Sequence, residues 1–424
     1  MFDLVKGNKN KIRFIPFEEA SSNCDGNSKD QYTSVNTLEQ MQWYVYDHSK
    51  EPIESPDQEK TGELRRSSGS FTFLNKLSTN PETRLETQTI YFTDLKTGKA
   101  GFVQVVYSSM MNALYKGFQL NFKLFDSNDR DNHSKDIWQS FKLSNLTSFS
   151  PLKVEFDNVK FEFIESKSDK KEVFSQLIVH VDIENTEDTA ALKLDMVIDL
   201  FPGYVTNPDG CSYYLERGIS KEESEDKSAQ FSSNKMMRHL FVPRARCTGK
   251  LYYKDIKGNN EIELELDDVP TSYIDAVQGL LPNKAARAWN FLCYHSKSWS
   301  ILCMEFTTTA EYNNHTVTTW AVTKNDKLVK VCSAVDKHSV KYLKTSVDKE
   351  NNWKPPSKIE FPMKFTECDL NLVNRYDIMN ELPLVVRKIA QNIAHVKPYI
   401  YQYCQQSKYE NEKGISIIES TFIS

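Results

Sequence analysis

At 424 residues the chain is long enough for two domains. A net charge of −5 and a pI near 6.0 exclude the basic stripe of a typical nucleic-acid binder. Aromatic residues make up 12%, with 24 Phe and 20 Tyr, which suits a β-rich core; no run of about 18 apolar residues is present to cross a membrane as a helix.

The opening MFDLVKGNKNK has Asp3 where a secretory signal would be apolar, so it does not read as one. Ile12, Phe14, Ile15 and Phe17, among Lys9, Lys11 and Arg13, form a short patch able to touch a membrane surface. Pro16 interrupts any helix there, which favours packing on the main body. Ser21–Ser34 and Asp47–Ser70 are polar and read as loops or disorder, with Gln40–Tyr46 docked between them by Trp43. Residues 1–83 are therefore expected to be a partly disordered extension.

From Leu85 the pattern is that of strands. Phe118, Leu120, Phe122 and Leu124 alternate with polar residues, as do Leu177, Val179, Val181 and Ile183, then Leu192 to Leu200, then Ile262, Leu264 and Leu266. A period of two puts one side on a core and the other in water. Its repetition implies antiparallel meanders closed into a sandwich or barrel. Lys221–Asn234 is charged and serine-rich and reads as a loop. A boundary near Leu240 gives a first domain over 84–241 and a second over 242–405. Val269 to Phe306 follows, opened by a turn signal at Pro270, where Asp275, Gln278 and Asn290 crowd against the apolar runs Ala288–Tyr294 and Trp299–Phe306. Buried polar groups cost about 1–3 kcal/mol each unless paired, so this density implies an internal network or a pocket lining. Val385, Ile389 and Ile393 share one face of a helix bounded by Pro383 and Pro398. A strand, Tyr399–Tyr403, is expected next, and residues 406–424 read as a polar tail.

The eight cysteines are scattered without a C-x-x-C pair and read as reduced thiols of a cytosolic protein. Cys293, His295 and Cys303 are candidate zinc ligands, the first two on one strand face, but no fourth ligand lies at zinc spacing, so a core cysteine and an exposed histidine are expected, with no metal and no cofactor. No glycine-rich phosphate loop and no G-x-S-x-G elbow occurs.

Three stretches carry a family pattern: LETQTIYFTDLKTGKAGFVQVVYS from Leu85, DAVQG…P…AARAWNF…MEFTT from Asp275, and KPYIYQY from Lys397. In order and spacing, over roughly residues 84 to 405, the chain resembles the fungal survival factor 1 family. The resemblance implies a mainly β fold, two consecutive lipocalin-like antiparallel β-barrels, here with the C-terminal helix. It also implies a role in oxidative-stress survival and a long-chain lipid partner such as ceramide, carried between endoplasmic reticulum and Golgi. Family members attach to membranes through an N-terminal amphipathic helix. Here Met1, Phe2, Leu4 and Val5 are a remnant of it, which implies weak peripheral membrane contact, cytoplasmic residence, and further presence in the nucleus or at ER and Golgi membranes. More distant double-lipocalin relatives are hydratases and cyclases, so an enzyme on an apolar substrate is the alternative, with a scaffold lacking ligand binding as a third.

A ligand barrel needs an apolar lining with a few placed polar groups. Thr87, Gln88 and Tyr91 are the candidates in the first barrel; Asp275, Gln278, Arg287, Trp289 and Asn290 are those of the central stretch. An enzyme would need Asp275, His295 or Glu305 at a cavity. Where the family pattern has histidines, this chain has Asp275, Asn283 and Lys284, which removes its best proton-transfer groups. The family arginine directly precedes the tryptophan, whereas Arg287 lies one place earlier. On a strand that shift reverses the face, so a guanidinium donor is expected to be lost from the site unless a bulge restores it.

Overall fold

The computed structural model describes residues 13–15, 32–46, 83–110, 115–130, 136–206, 209–215, 235–377 and 398–423. Among these residues the strands form three antiparallel sheets, of 15, 7 and 3 strands. The path of the largest runs Ile137–Leu143, Tyr115–Asp126, Lys99–Met110, Arg84–Asp94, Glu261–Gln278, Met236–Lys254, Ala191–Leu200, Ser175–Ile183, Val159–Glu165, Lys153–Phe156 and Leu146–Ser150. The path closes on itself through side chains: the ring of Phe118, on its second strand, is centred 5.4 Å from Phe149 on the last strand and 5.3 Å from Phe156 on the last but one. The sheet thus curls into a barrel around one core that includes Phe92, Leu120, Leu177, Leu194 and Leu251. The period of two sets that core. Val179, Val181 and Ile183 are inside, while His180 and Asp182 between them are exposed. Each buried aliphatic side chain contributes about 1.5–3 kcal/mol, so the alternation fixes the register.

The second barrel joins the seven-stranded and three-stranded sheets. The former runs Lys327–Val335, Thr316–Lys324, Trp299–Thr307, Ala288–Ser296, Glu412–Phe422, Tyr399–Tyr409 and Leu372–Asp377; the latter Lys341–Thr345, Pro356–Phe361 and Phe365–Cys368. Leu292, Tyr294, Ile301, Trp320 and Ile418 of one sheet pack on Ile359, Phe361 and Phe365 of the other. The architecture is the expected pair of consecutive lipocalin-like antiparallel barrels. The helix expected between Pro383 and Lys397 and the remnant at Met1–Val5 lie outside the described residues.

The domain limits differ from those expected. Met236–Lys254 runs unbroken through the boundary placed at 241, pairing with Ala191–Leu200 on one side and Glu261–Gln278 on the other. A strand's backbone groups must all be satisfied by its neighbours, so this hairpin belongs wholly to the first barrel. That barrel ends at Gln278, and the second begins at Ala288, after the short helix Pro282–Ala285. The charged run at 221–234 lies outside the described residues. Residues 406–424 are likewise no tail: Glu412–Phe422 pairs with both Ala288–Ser296 and Tyr399–Tyr409. Its polar look comes from Ser416 and Ser420, both wholly buried. The described part of the N-terminal extension is docked. Tyr32–Val35 pairs with Gly203–Thr206, and Trp43 is buried against Phe118 and Phe149 as its sequence suggests. Among the described residues Cys211, Cys247, Cys293, Cys303, Cys368 and Cys404 are free thiols.

The barrels pack face to face. Ile90 and Phe92 point into the first barrel, while Tyr91 between them reaches the second. Leu292 and Tyr294 point into the second barrel, while Phe291 and Cys293 face the first. Tyr91 and Phe291 meet with ring centroids 4.9 Å apart. These strands are covered on both sides, which explains why their sequences are nearly continuous apolar runs.

Candidate functional site

A cleft opens along the junction between the barrels. The first barrel contributes Thr206, Gly210, Ser212, His239 and Phe241; the second contributes Met304, Phe306, Val317 and Thr319. Its cavity volume is about 10 Å³, room for about one water molecule as the barrels stand. His239 and Phe241 alternate with the barrel-facing Leu240 and Val242, so one strand serves both core and cleft. The His239 ring stacks on Phe241 with centroids 6.0 Å apart. Burial, assisted by the neighbouring Arg238 charge, holds the imidazole down at about 3, so it is neutral. The lining is therefore apolar, with hydroxyls and one neutral imidazole, and it carries no charge.

The eight residues singled out in the sequence fall in separate places. Trp289 alone borders the cleft, its ring 5.2 Å from Phe306 and 6.1 Å from His239. Tyr91 lies elsewhere in the junction, and half-buried Thr87 shares its strand face. Gln278 locks the turn after its strand, its amide donating to the Leu280 carbonyl at 2.5 Å. Arg287 is exposed and donates to Asn314 Oδ1 at 3.3 Å, so no bulge carries its guanidinium to an interior site.

Gln88 and Asp275 come together inside the first barrel as opposed residues of neighbouring strands. Arg238 Nη1 lies 3.3 Å from Asp275 Oδ2. Glu86 accepts the backbone N–H groups of Tyr44 and Val45 at 3.0 and 2.9 Å, tying the N-terminal segment to the barrel mouth. Burial pushes Asp275 up to about 6 against the pull of Arg238, and burial with the Asp275 charge pushes Glu86 up as well. Neither amide atom of Gln88, nor Oδ1 of Asp275, has a hydrogen-bond partner among the described residues.

Asn290 lies inside the second barrel. It donates to Glu305 Oε1 at 3.0 Å and accepts from Tyr342 at 2.6 Å and Ser420 at 3.1 Å. Glu305 Oε2 also accepts from Thr318 and the Val340 N–H, at 2.8 and 2.7 Å. Both oxygens of this carboxylate are thus partnered, as a buried structural group should be. His295 is 1% exposed, not the exposed histidine expected. The packing of the two barrels covers its face, which the sequence of one strand does not show. The Ser272 hydroxyl donates to the Pro243 carbonyl at 2.7 Å, so it accepts from His295 Nε2 at 2.8 Å. Nδ1 then accepts from Thr93 at 2.9 Å. Among the described residues no three His, Cys, Asp or Glu side chains are grouped to hold a metal.

The sequence reading passed over His239, Phe241, Met304, Phe306 and Val317. Their one signal is that they stand between core positions in strands apolar on both faces.

Comparison with known proteins places the chain. The model of the Svf1 family matches residues 5–424. The chain belongs to the Svf1 family. An SVF1-like protein of Saccharomyces cerevisiae is 45% identical over 421 residues, 98% of this chain and 98% of that one. The ceramide-binding protein SVF1 of Debaryomyces hansenii is 32% identical over 359 residues, covering 81% of this chain and 85% of its own. This is the pattern of a divergent paralogue within the Svf1 family. Among solved structures, that of CghA with Sch210972 superposes with a TM-score of 0.50 at 11% identity, over 81% of this chain and 89% of that chain. At that identity the likeness speaks for the double-barrel fold alone.

Proposed function

We propose that this chain binds a long-chain lipid of the ceramide type without altering it, and carries it between endoplasmic reticulum and Golgi membranes from the cytoplasm. The observation that carries the reading is the 32% identity with a ceramide-binding protein over 81% of this chain, more than either barrel occupies. The cleft supports it chemically. Ceramide presents an uncharged amide and hydroxyls beside two hydrocarbon chains. Thr206, Ser212, His239 and Thr319 offer neutral partners beside Phe241, Met304 and Phe306. Because side chains occupy the barrel interiors, we place the lipid at the junction rather than in a lumen. A two-chain lipid exceeds the present cleft, so capture requires the barrels to part there.

The test is mass spectrometry of lipids extracted from protein purified without detergent. Ceramide enriched over a control protein is the expected result; no sphingolipid above control sinks the reading and leaves the scaffold. One observation favours enzyme chemistry: Asp275, raised to about 6, faces unpartnered Gln88 beside Glu86. The same extraction decides it, since lipid recovered with one water added or lost would move the assignment to a hydratase.

A further inference from the structure

We propose that the second barrel carries a docking surface for an anionic bilayer, built on Lys341–Thr345 and the loop after it. Among the described residues this strand is an edge, paired only with Pro356–Phe361. Its inward side chain is Tyr342, bonded to Asn290 inside the barrel. Its outward side is unusual. Leu343 is 46% exposed and Val347 58%. Six lysines and two carboxylates lie between residues 337 and 358, in a chain whose net charge is −5. Lys341 pairs with Glu360 at 2.9 Å. Lys344, Lys349 and Lys354 are exposed and make no ion pair with a described residue. Lys344 also stands opposite Lys358 in the cross-strand register. Like charges opposed across a ladder destabilise it, and a polyanionic surface laid on this face relieves the repulsion.

Lysines alone on an edge strand would serve to deter strand-to-strand association. Leu343 and Val347 do not serve that end, because each presents apolar surface to water. Apolar tips ringed by ammonium groups match a membrane interface: the tips enter the acyl boundary while the lysines stay among anionic head groups. The surface goes beyond the carrier reading and does not depend on it.

The full chain is to be floated with vesicles of phosphatidylcholine, and with vesicles that also contain phosphatidylserine. Binding to the anionic vesicles alone, weakened by salt, is expected. Lys344→Glu with Lys349→Glu should lower that partition by roughly tenfold or more, since each lysine near such a surface is worth about fivefold. Leu343→Ser with Val347→Ser should lower it as well. All four side chains are exposed, and an unchanged unfolding midpoint establishes that the variants fold. Failure of the unaltered chain to bind anionic vesicles overturns the proposal. So does undiminished binding by both variants, which would place the contact on another part of the chain. Ceramide recovery from the same preparations is read separately; its absence counts against the carrier reading alone.

Discussion

His239 gives the cleft its uncharged character, and its titration can be followed. Its folded value of about 3 lies below the ordinary 6.5 of an exposed histidine. Between those values the unfolded chain binds a proton that the folded chain refuses. The stability is therefore present above pH 6.5 and is lost as pH falls below it, by about 1.4 kcal/mol per pH unit. Buried His295 acts in the same direction, while Asp275, raised to about 6, acts in the opposite one between about 6 and 3.8. A His239→Gln variant isolates one contribution. Its loss of unfolding free energy from pH 7 to pH 5, measured with urea, should be about 2 kcal/mol smaller than that of the unaltered chain. Equal losses would mean that His239 protonates freely in the folded state.

At the scale of elements, Glu412–Phe422 is the most consequential correction. It lies between Ala288–Ser296 and Tyr399–Tyr409 and contributes Ile415, Ile417 and Ile418 to two clusters. Removing it would strip the ladder partners from two apolar strands and open both clusters to water. Unpaired edges of that kind drive association between chains. A chain ending at Gln405 is therefore expected to accumulate as aggregate and to lose the near-ultraviolet circular dichroism of the second barrel. A soluble truncated protein with the midpoint of the full chain would contradict the strand's role.

For the whole molecule, Arg244 is a group that pins one barrel to the other. It is wholly buried on a strand of the first barrel. Its guanidinium donates to the carbonyls of Ser296 and Lys297 at 3.2 and 2.7 Å, to Ser300 Oγ at 2.9 Å, and to Asp326 at 2.8 Å, all in the second barrel. Removing one partner of such a buried charge pair typically costs about 3–5 kcal/mol. Arg244→Ala should lower the unfolding midpoint and split a single calorimetric transition into two, one per barrel. Lysine lacks the planar fork and should not restore the coupling. A single transition at an unchanged midpoint would show that Arg244 does not couple the barrels.

The sequence by itself determined that the chain is built of antiparallel strands, because a period of two is a local property of each segment. It determined the pair of barrels and the family through motifs that stay together along the chain, and the docking of Trp43 through an isolated large apolar residue. It did not determine where one barrel ends, because the ladder from Met236 to Lys254 continues past a change in composition that lies outside it. Nor did it determine which face of a doubly covered strand meets which core: alternation separates two faces but does not name what lies beyond either. Trp289 and Asn290 are adjacent, yet one borders the junction and the other lies inside a barrel. His295 finds its partners at Ser272 and Thr93, and the cleft joins strands far apart in the chain. Those neighbours exist only after two barrels have closed and packed, so only the tertiary structure decided them.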